Sequence, residues 1–344
     1  MDKQRRPKLP SHVIRKRRRR KRRIRFIFSL LLFFVVIGLS AFGYASWRVD
    51  QALDDLTDAS SNQEQLVENR QFSVLIMGRD YRPETGTNLT DVMIVAAVDL
   101  DKGKVSMASI PRDTKVRISE IGRQVKANEA FNIGEYLKRQ DEQNQNPVTI
   151  DGPALAKKMA GNLFDIPIDY YVLVDFKSFM AIVDEIGGID INVERELIYN
   201  DPTDETHIHL YPGLQHVNGK EALDWVRHRH DDRGTDYYSS DFDRNRRQRE
   251  VIAAVVSEMK TIDGATKIFD VLDTMAQHIH TDLSKSQIKN LVWSLKQLDP
   301  NQIESIETPN VYWDSSSLQT VIPEEDLNVV HTKLQEVIDK EKKG

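Results

Sequence analysis

The sequence predicts one α/β/α layered domain with a central mixed sheet, held outside the cell behind a single amino-terminal transmembrane helix. Three observations predict it. A cationic head runs into a long uncharged apolar stretch. Three short apolar runs follow a polar stretch, two of them joined by a tight turn. Beyond residue 150, helical and strand patterns alternate. The 344 residues suffice for one large domain or two small ones, and 40% hydrophobic residues suffice for a real core.

The head is residues 1–25, with fourteen Lys or Arg and one Asp, a local charge of +13 against −5 for the whole chain. Next comes "FIFSLLLFFVVIGLSAFGYASW", residues 26–47, without a charge. A bilayer-spanning helix needs roughly 20 apolar residues. A secretory leader would be shorter and end in a small-residue cleavage site, which "AFGYAS" offers only weakly. Basic residues stay on the cytoplasmic side, so everything after residue 48 faces outward, with Trp47 as the outer aromatic anchor. The tract "RKRRRRKRR" therefore reads as a topology signal with affinity for anionic lipid, not as a nucleic-acid site. The chain has no cysteine, so the exported part is held by its core without disulfides. Residues 48–70 are polar and read as a stalk, and 71–342 as the folded extracellular domain.

Within that domain, "FSVLIMG" (72–78), "DVMIVAAVDL" (91–100) and "KVSMASIP" (104–111) read as strands, the last two joined by a "DKG" turn. Asp151 caps a helix over 151–165. A strand (170–176), a helix closed by glycine (177–188) and a strand (189–193) follow. Asn218 starts a helix over 218–229. Further helices are expected at 244–260, 264–279, 284–297 and 324–341, and a late strand at 303–309.

Three strand ends gather polar residues: Arg79, Asp80 and Arg82, then Asp91, then Arg112 and Asp113. Ligands collect at such ends in α/β sheets. Asp80 and Asp91 could hold Mg2+, which takes one or two carboxylates and completes its shell with water and phosphate oxygens. In most such pairs, however, the aspartates are turn or cap residues. Residues 224–249 hold seven arginines and six aspartates. Arg244, Arg247 and Gln248 share a helix face, and Arg227 and Arg229 approach from the preceding helix end. Guanidinium forks grip phosphate. Sequence physics alone divides this cluster evenly between a phosphate pocket and a solvated salt-bridge face. The histidines at 207, 209, 216, 228 and 230 lack the spacing of a helical zinc site.

The stretches "SIPRDT", "DYYVLVDFKSFMAIVDEIGGIDINV", "HIHLYPGLQHVNGKEALDWVRHRHDD" and "DRNRRQR" resemble the LytR-CpsA-Psr family of Gram-positive bacteria, over about residues 72–260. The resemblance implies a phosphotransferase. It would move a glycopolymer, a teichoic acid or a capsular polysaccharide, from a polyprenyl-pyrophosphate carrier to peptidoglycan. It also implies a flanked central sheet, an apolar tunnel for the prenyl chain and an arginine-lined mouth. By position, Asp80 and Asp91 match the Mg2+-associated aspartates and Arg112 an active-site arginine. Arg227, Arg229, Arg244, Arg247 and Gln248 match the phosphate-gripping set, with Arg79 beside them, and Asp232 matches an acidic pair. Asp232, Asp231 or an arginine-stabilised alkoxide would deal with the acceptor proton. Two departures stand out. Leu89 and Thr90 replace the family's Arg-containing lead into the second aspartate, and the loop "RGTDYYSSDFD" is longer, with Asp243 in place of a glycine. The alternatives are a pyrophosphatase in the same site, or a membrane-bound regulator. The cytoplasmic head is too short to carry a folded DNA-reading element.

Overall fold

A computed structural model of the chain describes residues 70–82, 87–201, 206–261, 279–284, 287–288, 291 and 302–338. The chain divides into two units, Met1–Gln51 and Ala52–Gly344. The first lies outside the described residues, as do the expected head, transmembrane helix and nearly all of the stalk. Among the described residues no helix is long and apolar enough to cross a membrane.

Strand β1 (Gln71–Arg82) pairs antiparallel with β2 (Thr87–Asp99), and β2 with β3 (Lys104–Ser109). Asp99 fixes the β2–β3 turn, accepting from the N–H groups of Asp101 and Lys102 at 2.9 and 3.0 Å. Gly103 supplies the left-handed backbone there, at φ 60°. A hairpin of β4 (Lys115–Ile118) and β5 (Arg123–Lys126) follows, then helix α1 (Ala130–Gln143). Helix α2 (Gly152–Phe164) starts at Asp151, whose side chain accepts from the N–H of Ala154 at 2.9 Å. Strand β6 (Tyr170–Asp175) lies parallel to β1 and runs straight into α3 (Phe176–Ile186), capped by Asp175.

Four short strands come next: β7 (Ile189–Val193), β8 (Leu197–Asp201), β9 (Thr206–Leu210) and β10 (Gly213–Val217). β7 pairs with β10 and β8 with β9. Helix α4 (Gly219–Arg227) begins in a capping box, Asn218 and Glu221 each accepting from the other's N–H at 3.0 Å. Helix α5 (Asp241–Thr261) follows. Strands β11 (Ile279–Thr281) and β12 (Ile303–Ile306), a hairpin of β13 (Tyr312–Asp314) and β14 (Gln319–Val321), and helix α6 (Glu324–Ile338) complete the described chain. The expected helices at 264–279 and 284–297 fall largely outside the described residues.

Among the described residues the central sheet has the order β11-β6-β1-β2-β3-β12, with β1–β6 and β3–β12 parallel and the rest antiparallel. Its side chains alternate between faces. Leu75, Met77, Met93, Val95, Ala97 and Leu173 join one core with Phe131 of α1, Leu155 and Met159 of α2, and Val330 and Leu334 of α6. The other face, carrying buried Val74, Ile94 and Ala96, is approached by α3 and α5. A second core joins α3, α4 and the β7–β10 strands around Trp225. This is the layered α/β domain with a mixed sheet that the sequence implies.

Helices α3 and α4 touch through glycine. A Cβ on Gly219 would lie 2.2 Å from the carbonyl oxygen of Met180. Since backbone cannot yield as a side-chain tip does, Gly219→Ala is expected to lower stability by about 2 kcal/mol or more. Thermal unfolding measures this, and an unchanged midpoint would mean the helices are not so tightly apposed.

Candidate active site

Strands β6 and β3 both run parallel to β1, and both finish at the same side of the sheet. Phe176 follows the end of β6, and Arg112 lies three residues past the end of β3. Strand β2 enters from that side, and there its pairing with β1 is irregular. Gly78 faces Val92 and Arg79 faces Thr90, so Asp91 is an extra, unmatched residue. Such a bulge bends the strand and re-aims its side chain, and bulges concentrate beside active sites. A glycine must oppose it, because a Cβ on Gly78 would meet the Cβ of Val92 at 2.9 Å.

These ends and the helices above them enclose a cavity of about 250 Å3, lined by Asp91, Val92, Arg112, Phe176, Val226, Arg227, Arg229, Arg244 and Gln248. Arg112 donates to Asp91 Oδ1 at 3.3 Å and lies 3.5 Å from Asp113. Arg227, at the last turn of α4, sits over the Phe176 ring at 4.9 Å from its centroid. The chain leaves the helix at His228, where ψ is 120°, and this carries Arg229 past its end. Arg244 and Gln248 come from α5, one turn apart on one face.

Other expected residues lie elsewhere. Arg247 is fully buried and is not among the lining residues. Its Nε donates to Glu194 at 3.0 Å, its Nη2 also bonds Glu194, and its Nη1 reaches the carbonyl oxygens of Trp225 and His228 at 3.2 and 3.5 Å. It ties α5 to the end of α4, a positioning role. Burial pushes the Glu194 carboxyl up, but the bonds from Arg247 outweigh this and hold it below its ordinary range. Asp232 accepts from the backbone N and Nδ2 of Asn200, at 3.2 and 2.6 Å, and so anchors β8. Arg79 lies with its guanidinium 6.0 Å from the Phe131 ring centroid. Asp80 pairs with Leu89 in the ladder, and its side chain is outside what the structure describes. Among the described residues no group of three or more His, Cys, Asp or Glu could hold a metal.

A second buried network fixes the loop between the two arginine-bearing helices. His228 is fully buried, with Nδ1 2.8 Å from Ser239 Oγ and Nε2 3.4 Å from Asp231. Arg233 donates to both Asp231 oxygens at 2.8 Å and to Glu196 at 3.0 Å. It holds Asp231 well below the usual carboxylate range. Asp243, the departure from the family pattern, accepts from the N–H of Ser240 at 2.9 Å, while its own N–H bonds the Ser240 hydroxyl at 3.1 Å. That reciprocal cap starts the helix that carries Arg244.

Sequence reading missed Phe176 and Glu194. Phe176 had a signal, since it follows a strand at the edge where ligands collect. Glu194 had none, because its partner is 53 residues away.

The family model described as the LytR_cpsA_psr family matches residues 43–343. The chain belongs to that family. Among relatives of this LytR_cpsA_psr chain is the polyisoprenyl-teichoic acid–peptidoglycan teichoic acid transferase TagV of Bacillus subtilis. It is 30% identical over 272 residues, which are 76% of this chain and 63% of TagV, so the match spans less than two thirds of that protein. The crystal structure of B. subtilis TagV superposes with a TM-score of 0.63 at 27% identity, covering 79% of this chain and 98% of that one. The structure of TagT bound to LIIa-WTA gives 0.60 at 25% identity, covering 80% and 94%.

Burial, reinforced by the charge of Arg247, pushes His228 down to about 4 from an ordinary 6.5. The unfolded chain therefore takes up a proton near pH 6.5 that the folded chain refuses until about pH 4. Stability is full above pH 6.5 and should fall by about 3 kcal/mol as pH drops to 4. Asp231, shifted down, adds its own loss below its unfolded value. Denaturant titrations across pH 4–7 should show this slope flattened in His228→Asn. An equal slope in both proteins would remove His228 as its source.

Proposed function

We propose that the chain transfers a glycopolymer from a polyprenyl-pyrophosphate carrier to peptidoglycan, forming a phosphodiester and releasing polyprenyl phosphate. The observation that carries this reading is the convergence of Arg112, Arg227, Arg229, Arg244 and Gln248 on one cavity beside Asp91. Four guanidiniums against one lining carboxylate leave the cavity net positive, which suits a multiply charged anion. A diphosphate supplies it. The transferase name of TagV and the LIIa-WTA bound to TagT support a polyprenyl-linked teichoic acid as its source.

A hydroxyl of the peptidoglycan acceptor attacks the phosphorus that bears the sugar. The bond from that phosphorus to the bridging oxygen breaks, and the second phosphate leaves with the prenyl chain. Such a transfer needs little covalent help from protein; positioning and charge stabilisation do most of it. The arginines bind the phosphoryl oxygens as charge shifts onto them. Asp91 is the acidic side chain among the described lining residues and is held by Arg112; the acceptor hydroxyl gives its proton to solvent water while the arginines stabilise the alkoxide. Phe176, Val92 and Val226 form the apolar part of the wall, which suits the prenyl end of the carrier.

The donor set also fits Mg2+. A carboxylate aimed into a phosphate site by a bulge supplies one of the one or two carboxylates that this ion takes from protein. Asp91 and Asp80 would hold it, and it would neutralise charge on the diphosphate oxygens. The uncharged run 26–47 would anchor the chain in the membrane, with the domain outside.

Arg112→Ala is expected to lower turnover of a prenyl-diphospho-sugar donor by about 10²–10³ with an unchanged unfolding midpoint. Unchanged turnover would place the reaction elsewhere. Calorimetry with inorganic pyrophosphate should show Mg2+ tightening the complex in the wild type and failing to do so in Asp91→Asn. Equal enhancement in both would remove Asp91 as a metal ligand.

A further inference from the structure

The loop joining α4 to α5 leaves the cavity at Arg229 and returns to it at Arg244. Between them, three aromatic side chains are open to solvent within six residues: Tyr237 at 43% exposure, Tyr238 at 41% and Phe242 at 45%. Single exposed rings are common on proteins, but a cluster beside a reaction site needs a reason.

Two of these rings are held in place. The Arg233 guanidinium lies 4.4 Å from the Tyr237 ring centroid, and that guanidinium is itself fixed on Asp231 and Glu196. The His230 ring lies 4.8 Å from that of Tyr238, tilted by 44°, and Tyr199 packs edge-on against His230 at 5.9 Å. The Tyr238 carbonyl accepts from Arg195 at 3.0 Å, and the Ser239 N–H donates to the carbonyl of Arg229 at 2.9 Å. Each ring thus has one side backed by a planar polar group. Little conformational freedom remains to be lost when a ligand lands on the other side.

We infer that Tyr237, Tyr238 and Phe242 form a platform for the sugar rings of the acceptor, the glycan strand of peptidoglycan. The inference rests on the transfer reading above. A pyranose has a flat face of C–H groups and a polar edge. It suits an exposed aromatic ring beside a hydrogen-bonding group, here Asp236, the sequence neighbour of Tyr237. The diphosphate occupies the cavity, so what meets its outer rim is the hydroxyl-bearing partner. That partner is a wall-bound polymer, and it arrives from solvent, where these rings are exposed.

The test uses the full-length chain in detergent and peptidoglycan stripped of its attached polymers. Co-sedimentation should give saturable binding in the wild type and about tenfold weaker binding in the Tyr237→Ala/Tyr238→Ala double variant. The Tyr237→Phe/Tyr238→Phe variant, which keeps both rings, should bind as the wild type does. Thermal unfolding of all three separates lost binding from lost fold. Equal sedimentation of the alanine and wild-type proteins would overturn the inference. So would unchanged sedimentation accompanied by weaker binding of a prenyl-diphospho-disaccharide, because the platform would then serve the donor. Calorimetry with inorganic pyrophosphate reads the cavity separately. A wild type that sediments with peptidoglycan but ignores pyrophosphate would sink the transfer reading and leave the platform standing.

Discussion

Arginines gathered around one small cavity repel each other, and something must hold them there. The buried pair of Arg247 and Glu194 does so. Arg247 sits between α4 and α5, spending its donors on Glu194 and on the carbonyl oxygens of Trp225 and His228. Those carbonyls belong to the end of α4, from which Arg227 and Arg229 project. Arg244, three residues before Arg247 on α5, and Gln248, the residue after it, line the cavity. A fully buried charge stripped of its partner costs several kcal/mol. Arg247 therefore shapes the site without entering it, and loss of either partner would let the two arginine-bearing helices drift apart.

The sheet makes the opposite contribution. Its strand ends bring one carboxylate and one arginine to the floor of the cavity, and the bulge at Asp91 decides which way that carboxylate points. Gly78 permits the bulge and Val92 forms the wall beside it. A rigid floor of strands and a roof of two tied helices leave the intervening loop as the variable part. In this chain the loop is long, and the network of His228, Ser239, Asp231 and Arg233 pins it.

Much of this was legible in the sequence. The three leading strands, the DKG turn, the capping residues Asp151 and Asn218 and the closing Gly187 follow from local chemistry that tertiary packing does not override. The β4–β5 hairpin, α1 and the strands β8 to β10 were not legible. The strands are four or five residues long with one or two buried positions each, too short for their alternation to stand out, and α1 buries only Ala130, Phe131 and Gly134, all near its start. For the site, counting arginines could not tell which were buried. Arg247 looked like a phosphate ligand because it shares a helix with two lining residues, and only its distant partner Glu194 reveals its position. Arg233, equally charged and equally near, turns out to hold the loop through Asp231.

A lipid-linked diphosphate is the occupant proposed for the cavity. Mass spectrometry of the full-length protein, extracted from its membrane in mild detergent, tests this most directly. The expected result is a bound polyprenyl phosphate or diphosphate, bearing sugar or not, that is depleted in Arg112→Ala. A protein that carries no such lipid, or carries it equally with Arg112 removed, would contradict it.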